Sequence, residues 1–259
     1  VTPRSFDLSG NVALVTGAGA ADGIGFATAR LLGELGAIVV VTSTTSRIDE
    51  RAAELSALGV RASGHVADLT DESHVSALVE AVVTEHGRLD IVVNNAGMVS
   101  VKAPGESGDL ASMSFATWRA GLSRNLDTAF LVCRESLVHL RARGSGRIVN
   151  VASVTGPVMA MAGEAVYAAA KAGMVGLTRS LALDEAGHGI TVNAVAPGWI
   201  ATGSQTEHER EQGARVPVGR SAHPSEVASA IAWLCTPGAG YVTGQCVVVD
   251  GGNSIAEER

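Results

Sequence analysis

Tyr167 and Lys171 stand four residues apart in a stretch of helical periodicity spanning 165–186. Residues i and i+4 share one face of a helix, so a phenol and an ammonium become neighbours. A free tyrosine titrates near 10. An ammonium about 5 Å away, at an effective dielectric of about 20, favours the phenolate by roughly 3 kcal/mol, or about two pKa units. Fourteen residues before Tyr167, Ser153 follows the β-branched run 147–152. A hydroxyl there can hold the same oxygen that the phenol protonates, and the loss of such a donor typically costs around 10²–10³ in rate. Reduction of a carbonyl needs a proton donor for the developing alkoxide, and these residue types supply one. The Tyr-x-x-x-Lys spacing by itself equally describes a snorkelling surface lysine beside a half-buried tyrosine. Its weight comes from its place after a strand whose end carries Ser153.

The elements that must position this trio follow a regular rhythm. Candidate strands at 12–16, 38–42, 62–66, 91–94, 147–152, 191–196 and 246–249 alternate with helical stretches near 24–35, 47–58, 71–86, 115–142, 165–186 and 224–235. Thr70 is the expected N-cap of the third helix, ahead of Asp71 and Glu72, and Pro224 suits a first helical position. The βαβα alternation predicts an α/β fold: a single doubly wound, seven-stranded parallel sheet of Rossmann type with helices on both faces. No repeat or linker divides residues 1–259, so one domain is expected. Ligands of such sheets bind beyond the carboxyl ends of the strands.

Just past the first strand lies Thr16-Gly17-Ala18-Gly19-Ala20-Ala21-Asp22-Gly23-Ile24-Gly25. Between a strand and a helix, glycines let the backbone approach a pyrophosphate seated on the helix N-terminus. The second strand ends Val41-Thr42-Ser43-Thr44-Thr45-Ser46-Arg47, with no acid between Glu34 and Asp49. A carboxylate there would pair with ribose hydroxyls, whereas Ser43, Thr44 and Arg47 suit a 2′-phosphate. NADP(H) is therefore the expected cofactor, with NAD(H) as the alternative; Ser46 can also be read as a plain helix cap beside a solvated Arg47. Asp68-Leu69 after the third strand either meets an adenine or starts a turn. Asn94-Asn95-Ala96-Gly97 after the fourth suits close approach to a ribose, or a simple turn.

Bulk properties set the frame. The chain has 259 residues, 46% hydrophobic and 17% charged, enough for a sizeable apolar core. A net charge of -7 argues against nucleic acid or an anionic membrane as partner. No apolar run approaches the roughly 20 residues of a membrane span. The opening VTPRSFDLSG lacks the apolar centre of a signal peptide, so a cytoplasmic location is expected. Cys133, Cys235 and Cys246 form no CxxC pair, and the seven histidines show no ligand spacing, so no metal is expected.

Taken together, the TG…GIG turn, Asn94-Asn95-Ala96-Gly97, Ser153, Tyr167-xxx-Lys171, Val195-Ala196-Pro197-Gly198, Thr243-Gly244-Gln245 and Val249-Asp250-Gly251-Gly252 resemble, in order, the short-chain dehydrogenase/reductase family. The likeness runs from Val12 to Gly252. It implies that Asn125 holds a water in a proton relay to Lys171, and that Lys171 also binds the nicotinamide ribose. Pro197, Gly198, Ile200 and Thr202 match the segment that lies along the nicotinamide. It further implies a homotetramer built through the two long helices and the C-terminal strand. The sequence departs from the family's usual pattern in a first turn two residues longer. Ser153 to Tyr167 is one residue longer than in the acyl-carrier-protein reductases it otherwise resembles, and His188 stands where those often place an Arg.

The substrate wall is expected from 98–113, 154–166 and 199–218, with Met98, Val154, Met159, Met161 and Trp199 lining it; such apolar loops equally suit packing on a neighbouring subunit. The leading expectation is a carbonyl reductase or alcohol dehydrogenase for an apolar or aromatic ketone or its alcohol. The rivals are a 3-oxoacyl-carrier-protein (or coenzyme A) reductase and a non-catalytic cofactor-sensing module.

Overall fold

A computed structural model describes residues 2–97 and 107–257. Strands β1 (Val12–Val15), β2 (Ile38–Ser43), β3 (Ala62–Val66), β4 (Ile91–Asn94), β5 (Gly146–Val151), β6 (Ile190–Pro197) and β7 (Cys246–Val249) form one sheet in the order β3-β2-β1-β4-β5-β6-β7. Every neighbouring pair is parallel. A parallel sheet covered on both faces needs strands apolar on both sides, and β1 and β4 are buried at every position.

Side-chain alternation feeds two cores. Ala13 and Val15 point into one with Val39 and Val41, where α1 (Ile24–Glu34), α2 (Arg47–Ala57) and α8 (Pro224–Cys235) pack through Phe26, Leu32, Ile48, Leu55 and Ile231. Val12, Leu14 and Val40 point into the other, against Val75, Leu78, Leu131 and Leu140 of α3 (Glu72–His86) and α5 (Thr128–Arg143). Helix α6 (Ala165–Glu185) covers the same face, with Met174 and Val175 in a smaller cluster. The chain leaves β1 toward β2 on one side and resumes at β4 on the other. That reversal opens a crevice at the carboxyl ends of β1 and β4.

Three details differ from the sequence expectation. The N-cap of α3 is Asp71, whose carboxylate accepts from the N–H groups of Ser73 and His74. Thr70 sits one residue too early and bonds Asp68 instead. The stretch 115–142 is not one helix: α4 (Phe115–Leu122) passes through a π turn at Ser123–Asp127 before α5 begins. Periodicity spans such a turn without a visible break, because it inserts only one residue's worth of offset. A further helix, α7 (Glu207–Ala214), has no apolar stripe to announce it. Its capping box of Thr206 and Glu209 was the available signal. Pro224 does occupy the first turn of α8, behind His223 as N-cap.

Candidate active site

The glycine-rich turn is shaped by close approach rather than by flexibility alone. Gly17 has φ of +68°, and a Cβ there would lie 2.7 Å from Ala96 Cα. A Cβ on Gly25 would lie 2.5 Å from Asn95 Nδ2 and 2.7 Å from the Gly17 carbonyl. Asn95 is the staple between the two strand ends: its Nδ2 donates to the carbonyls of Thr16 and Gly17. Thr16 returns the favour through Oγ1, which accepts from Asn95 N and Ala96 N at 3.0 Å each. Thr16 was not singled out from sequence, since a Thr ending a strand is unremarked by pattern.

Helix α1 starts at Ile24 with Gly23 as N-cap, no side-chain cap and no acid in its first turn. Its first-turn N–H groups and positive dipole end are thus available to an anion, and the cradle of missing side chains fits a pyrophosphate. The two extra residues of the turn carry Asp22 to Gly203, where a Cβ would lie 2.2 Å from Asp22 Oδ2. At Gly19, a Cβ would lie 2.6 Å from Arg47 Nε and 2.8 Å from Ser43 Cβ. Arg47 and Ser43 therefore border the phosphate turn. Ser46 stands at the N-cap of α2 without a side-chain capping bond, and Arg47 is exposed. Ser43 donates to the Thr45 carbonyl, and Thr44 is exposed.

The Asp68 carboxylate accepts from Thr70 Oγ1 and Thr70 N, bonds that lower its pKa. Leu69 is buried in the apolar core. At the far side, Gly198 N donates to the Val249 carbonyl, and a Cβ on Gly198 would lie 2.7 Å from Asp250 Cβ. The buried Pro197 ends β6, Ile200 bridges to Ala222, and Thr202 Oγ1 shares a bond with Ser204 Oγ.

Ser153, Tyr167 and Lys171 come together beyond β5. The Ser153 hydroxyl lies near enough to Tyr167 to pull its phenol down. Ser153 Oγ also accepts from Thr155 N, which fixes the loop that carries it. Gly156, with φ of +106°, lets that loop reach α6: a Cβ there would lie 2.2 Å from the Ala168 carbonyl. Lys171 is buried to 2% exposure and donates from Nζ to the Val151 carbonyl at 2.9 Å. Its Nζ lies 5.6 Å from the Tyr167 ring centroid. The expected lowering of the phenol by this ammonium is not what the balance gives. Burial pushes the Tyr167 phenol up, the Ser153 hydroxyl pulls it down, and Glu164 and Glu209 raise it further. Burial also pushes Lys171 down to about 8. Desolvation disfavours the charged form of each group, which raises the phenol and lowers the amine.

The Lys171 shift has a thermodynamic consequence. Between about 8 and its ordinary 10.5, the unfolded chain holds the Lys171 proton and the folded chain does not. The group therefore opposes folding fully below pH 8, by about 3 kcal/mol, and the penalty fades as pH rises toward 10.5. The stability of the native chain relative to Lys171→Met should accordingly rise across this window in denaturant melts. A pH-independent difference would contradict the shift.

Asn125 sits in the π turn, 1% exposed, with Nδ2 donating to the Gly121 carbonyl. A π turn moves backbone bonds to the carbonyl one residue further back, which leaves the Gly121 oxygen to this side chain. Asn125 Oδ1 is buried without a partner, and a Cβ on Gly97 would lie 3.1 Å from it. Behind the site, Asn94 donates to Asn150, and Asn150 to Thr178, tying β4, β5 and α6 together. Sequence pattern gave these amides no such linking role.

Of the expected substrate wall, Val154 is buried and its N donates to the Pro197 carbonyl. Met159 accepts from Asn253 through Sδ, Met161 is exposed and Trp199 is partly buried. Met98 lies outside the described residues.

A family model described as enoyl-(acyl carrier protein) reductase matches residues 17–254. The chain belongs to the short-chain dehydrogenase/reductase family. It is 44% identical over 245 residues to the cis-4-hydroxycyclohexanecarboxylate dehydrogenase of Sinomonas cyclohexanicum, covering 93% of this chain and 95% of that one. It is 40% identical over 250 residues to the 3-oxoacyl-(acyl-carrier-protein) reductase FabG of Vibrio cholerae, covering 95% and 98%. The crystal structure of a dehydrogenase/reductase from Sinorhizobium meliloti superposes with a TM-score of 0.89 at 32% identity, covering 98% of both chains. The protein is thus an oxidoreductase of this family, acting on CH–OH or C=O groups with a nicotinamide cofactor. No helix among the described residues is long and apolar enough to cross a membrane.

Proposed function

We propose that this short-chain dehydrogenase/reductase is an NADP(H)-dependent carbonyl reductase or alcohol dehydrogenase for apolar or aromatic ketones and their secondary alcohols. The observation that carries the reading is Lys171, anchored on the end of β5 with its Nζ 5.6 Å from the Tyr167 ring centroid, beside a Ser153 hydroxyl that acts on the same phenol. Gly17, Gly19, Asp22, Gly23, Ile24, Gly25, Asn95, Ala96 and Gly97 would hold the cofactor's phosphates and riboses, Asp68 and Leu69 its adenine end, and Pro197, Gly198, Ile200 and Thr202 its nicotinamide end. When bound, the nicotinamide supplies or accepts the hydride. Ser153 holds the substrate oxygen. Tyr167, whose phenol is pushed toward its protonated form, donates that proton to the oxygen in reduction, and its phenolate takes one back from the alcohol in oxidation. Lys171 positions and tunes Tyr167, and the unpartnered Oδ1 of Asn125 suits a relay water that resupplies the proton.

Arg47 and Ser43 beside Gly19 support NADP(H) over NAD(H), because a guanidinium pairs well with a phosphate. Residues 1–259 act as one domain, with substrate loops near 98–113, 154–166 and 199–218. A cytoplasmic homotetramer fits the exposed Phe130, Val138 and Leu183 on α5 and α6 and Val248 on β7. The likeness to the Vibrio cholerae relative favours a second reading, 3-oxoacyl-carrier-protein reduction.

Initial-rate kinetics on a panel of small ketones, their alcohols, and acyl-carrier and coenzyme A thioesters, each with both cofactors, separates these. The expected outcome is turnover of small ketones with NADPH. A marked NADH preference would overturn the reading of Ser43–Arg47, and exclusive turnover of carrier-bound substrates would establish the second reading.

A further inference from the structure

Glu164 occupies the N-cap position of α6, three residues before Tyr167 and on the same helix face. Side chains at that position, commonly Ser, Thr, Asp or Asn, can accept from the first-turn N–H groups of the helix. Glu164 makes no such bond. Its Oε2 is closed off from solvent and has no hydrogen-bond partner. The neighbouring Gly163 carbonyl accepts from Gly108 N at 2.8 Å, which fastens the 107–113 segment next to it. The carboxylate is close enough to Tyr167 to raise the phenol, as is that of Glu209. Glu209 is already satisfied within α7, where its Oε2 accepts from Thr206 N and Thr206 Oγ1. Glu164 therefore presents an unspent acceptor beside the reacting phenol.

A carboxylate oxygen buried without a donor is a strong discriminator. Sites built to hydrogen-bond a substrate group reject analogues lacking it, because the buried atom is then left unpaired. A second negative charge brought to the same place is repelled, here by two carboxylates. Lys171, the basic group against Tyr167, donates to the Val151 carbonyl.

We propose that Glu164 is a specificity residue that selects ketones and alcohols carrying a hydrogen-bond donor, a hydroxyl or an ammonium, away from the reacting carbon, and rejects those carrying a carboxylate there. The inference rests on Tyr167 being the proton donor. It narrows the apolar or aromatic class to members with one polar, donating end.

The test measures kcat/KM for acetophenone and its para-carboxy, para-hydroxymethyl and para-aminomethyl derivatives in the native chain, Glu164→Gln and Tyr167→Phe. The native chain should favour the aminomethyl over the carboxy compound by about 10²-fold, the usual scale of such pocket discrimination. Glu164→Gln should shrink that ratio at least about tenfold, the size of one net charge-assisted hydrogen bond. A loss confined to the ammonium compound, or shared with the hydroxymethyl compound, supports the proposal and tells which donor the site takes. An unchanged ratio, or no preference in the native chain whether all four ketones react or none does, overturns it. If Tyr167→Phe is inactive while the ratio stays put, only the role of Glu164 falls. If Tyr167→Phe retains turnover, the reading of the centre falls with it.

Discussion

Tyr167→Phe is expected to lower kcat by about 10²–10⁴-fold, the range of a positioned general acid, while leaving the affinity for the cofactor nearly unchanged. The substitution removes the phenolic oxygen and keeps the ring. The Lys171 contact with the Val151 carbonyl does not involve that oxygen, so the frame around the site stays in place. The phenol is the group on which the Ser153 hydroxyl, at the end of β5, acts. Stopped-flow reduction of a ketone, with cofactor binding followed by nucleotide fluorescence, checks both halves. Ketone reduction at the native rate in this variant would dismiss Tyr167 as the proton donor.

The second large effect concerns the cofactor. Arg47→Glu should lower kcat/KM with NADPH by about 10²-fold or more, since each charge-assisted bond contributes roughly 1.5–3 kcal/mol, and should spare NADH. Gly19→Ala should act in the same direction without touching a charge. Its new Cβ would fall 2.6 Å from Arg47 Nε and 2.8 Å from Ser43 Cβ, so Arg47 has to move off the phosphate turn. Parallel kinetics with the two cofactors on one ketone report the ratio. An NADPH preference that survives both substitutions would show that the phosphate is read elsewhere.

The site was unevenly legible. Tyr167 and Lys171 stand out because a helix repeats every 3.6 residues and turns sequence spacing into adjacency. The glycines of the first turn stand out because their place between strand and helix has few structural alternatives. Thr16 and Gly156 do not, since each acts through a contact with a segment remote in sequence. Thr16 Oγ1 receives backbone N–H groups some eighty residues away. Gly156 is forced by the approach of the Ser153 loop to α6. The π turn at Ser123–Asp127 was hidden for a related reason. Its effect is on which carbonyl the Asn125 side chain meets, not on which face is apolar.

Electrostatics was the least legible part. Spacing placed an ammonium next to the Tyr167 phenol and predicted a lowered pKa. Burial, which spacing does not report, reverses the sign for the phenol and loosens the lysine to about 8. Glu164 shows the same limit. In sequence it is a polar residue before a helix, and only packing reveals that its Oε2 is both buried and unpaired.

The Tyr167/Lys171 pair, Ser153 at a strand end, the glycine turn and the βαβα rhythm were thus determined by the sequence itself. Each depends on local periodicity or on a steric rule that acts within a few residues. Tertiary structure alone decided how those pieces face one another. Asn95 bolts the turn to β4, Arg47 lies over Gly19, and Asp22 reaches Gly203. It also decided the protonation balance at the centre, because desolvation is a property of everything packed around a group and not of its neighbours in the chain.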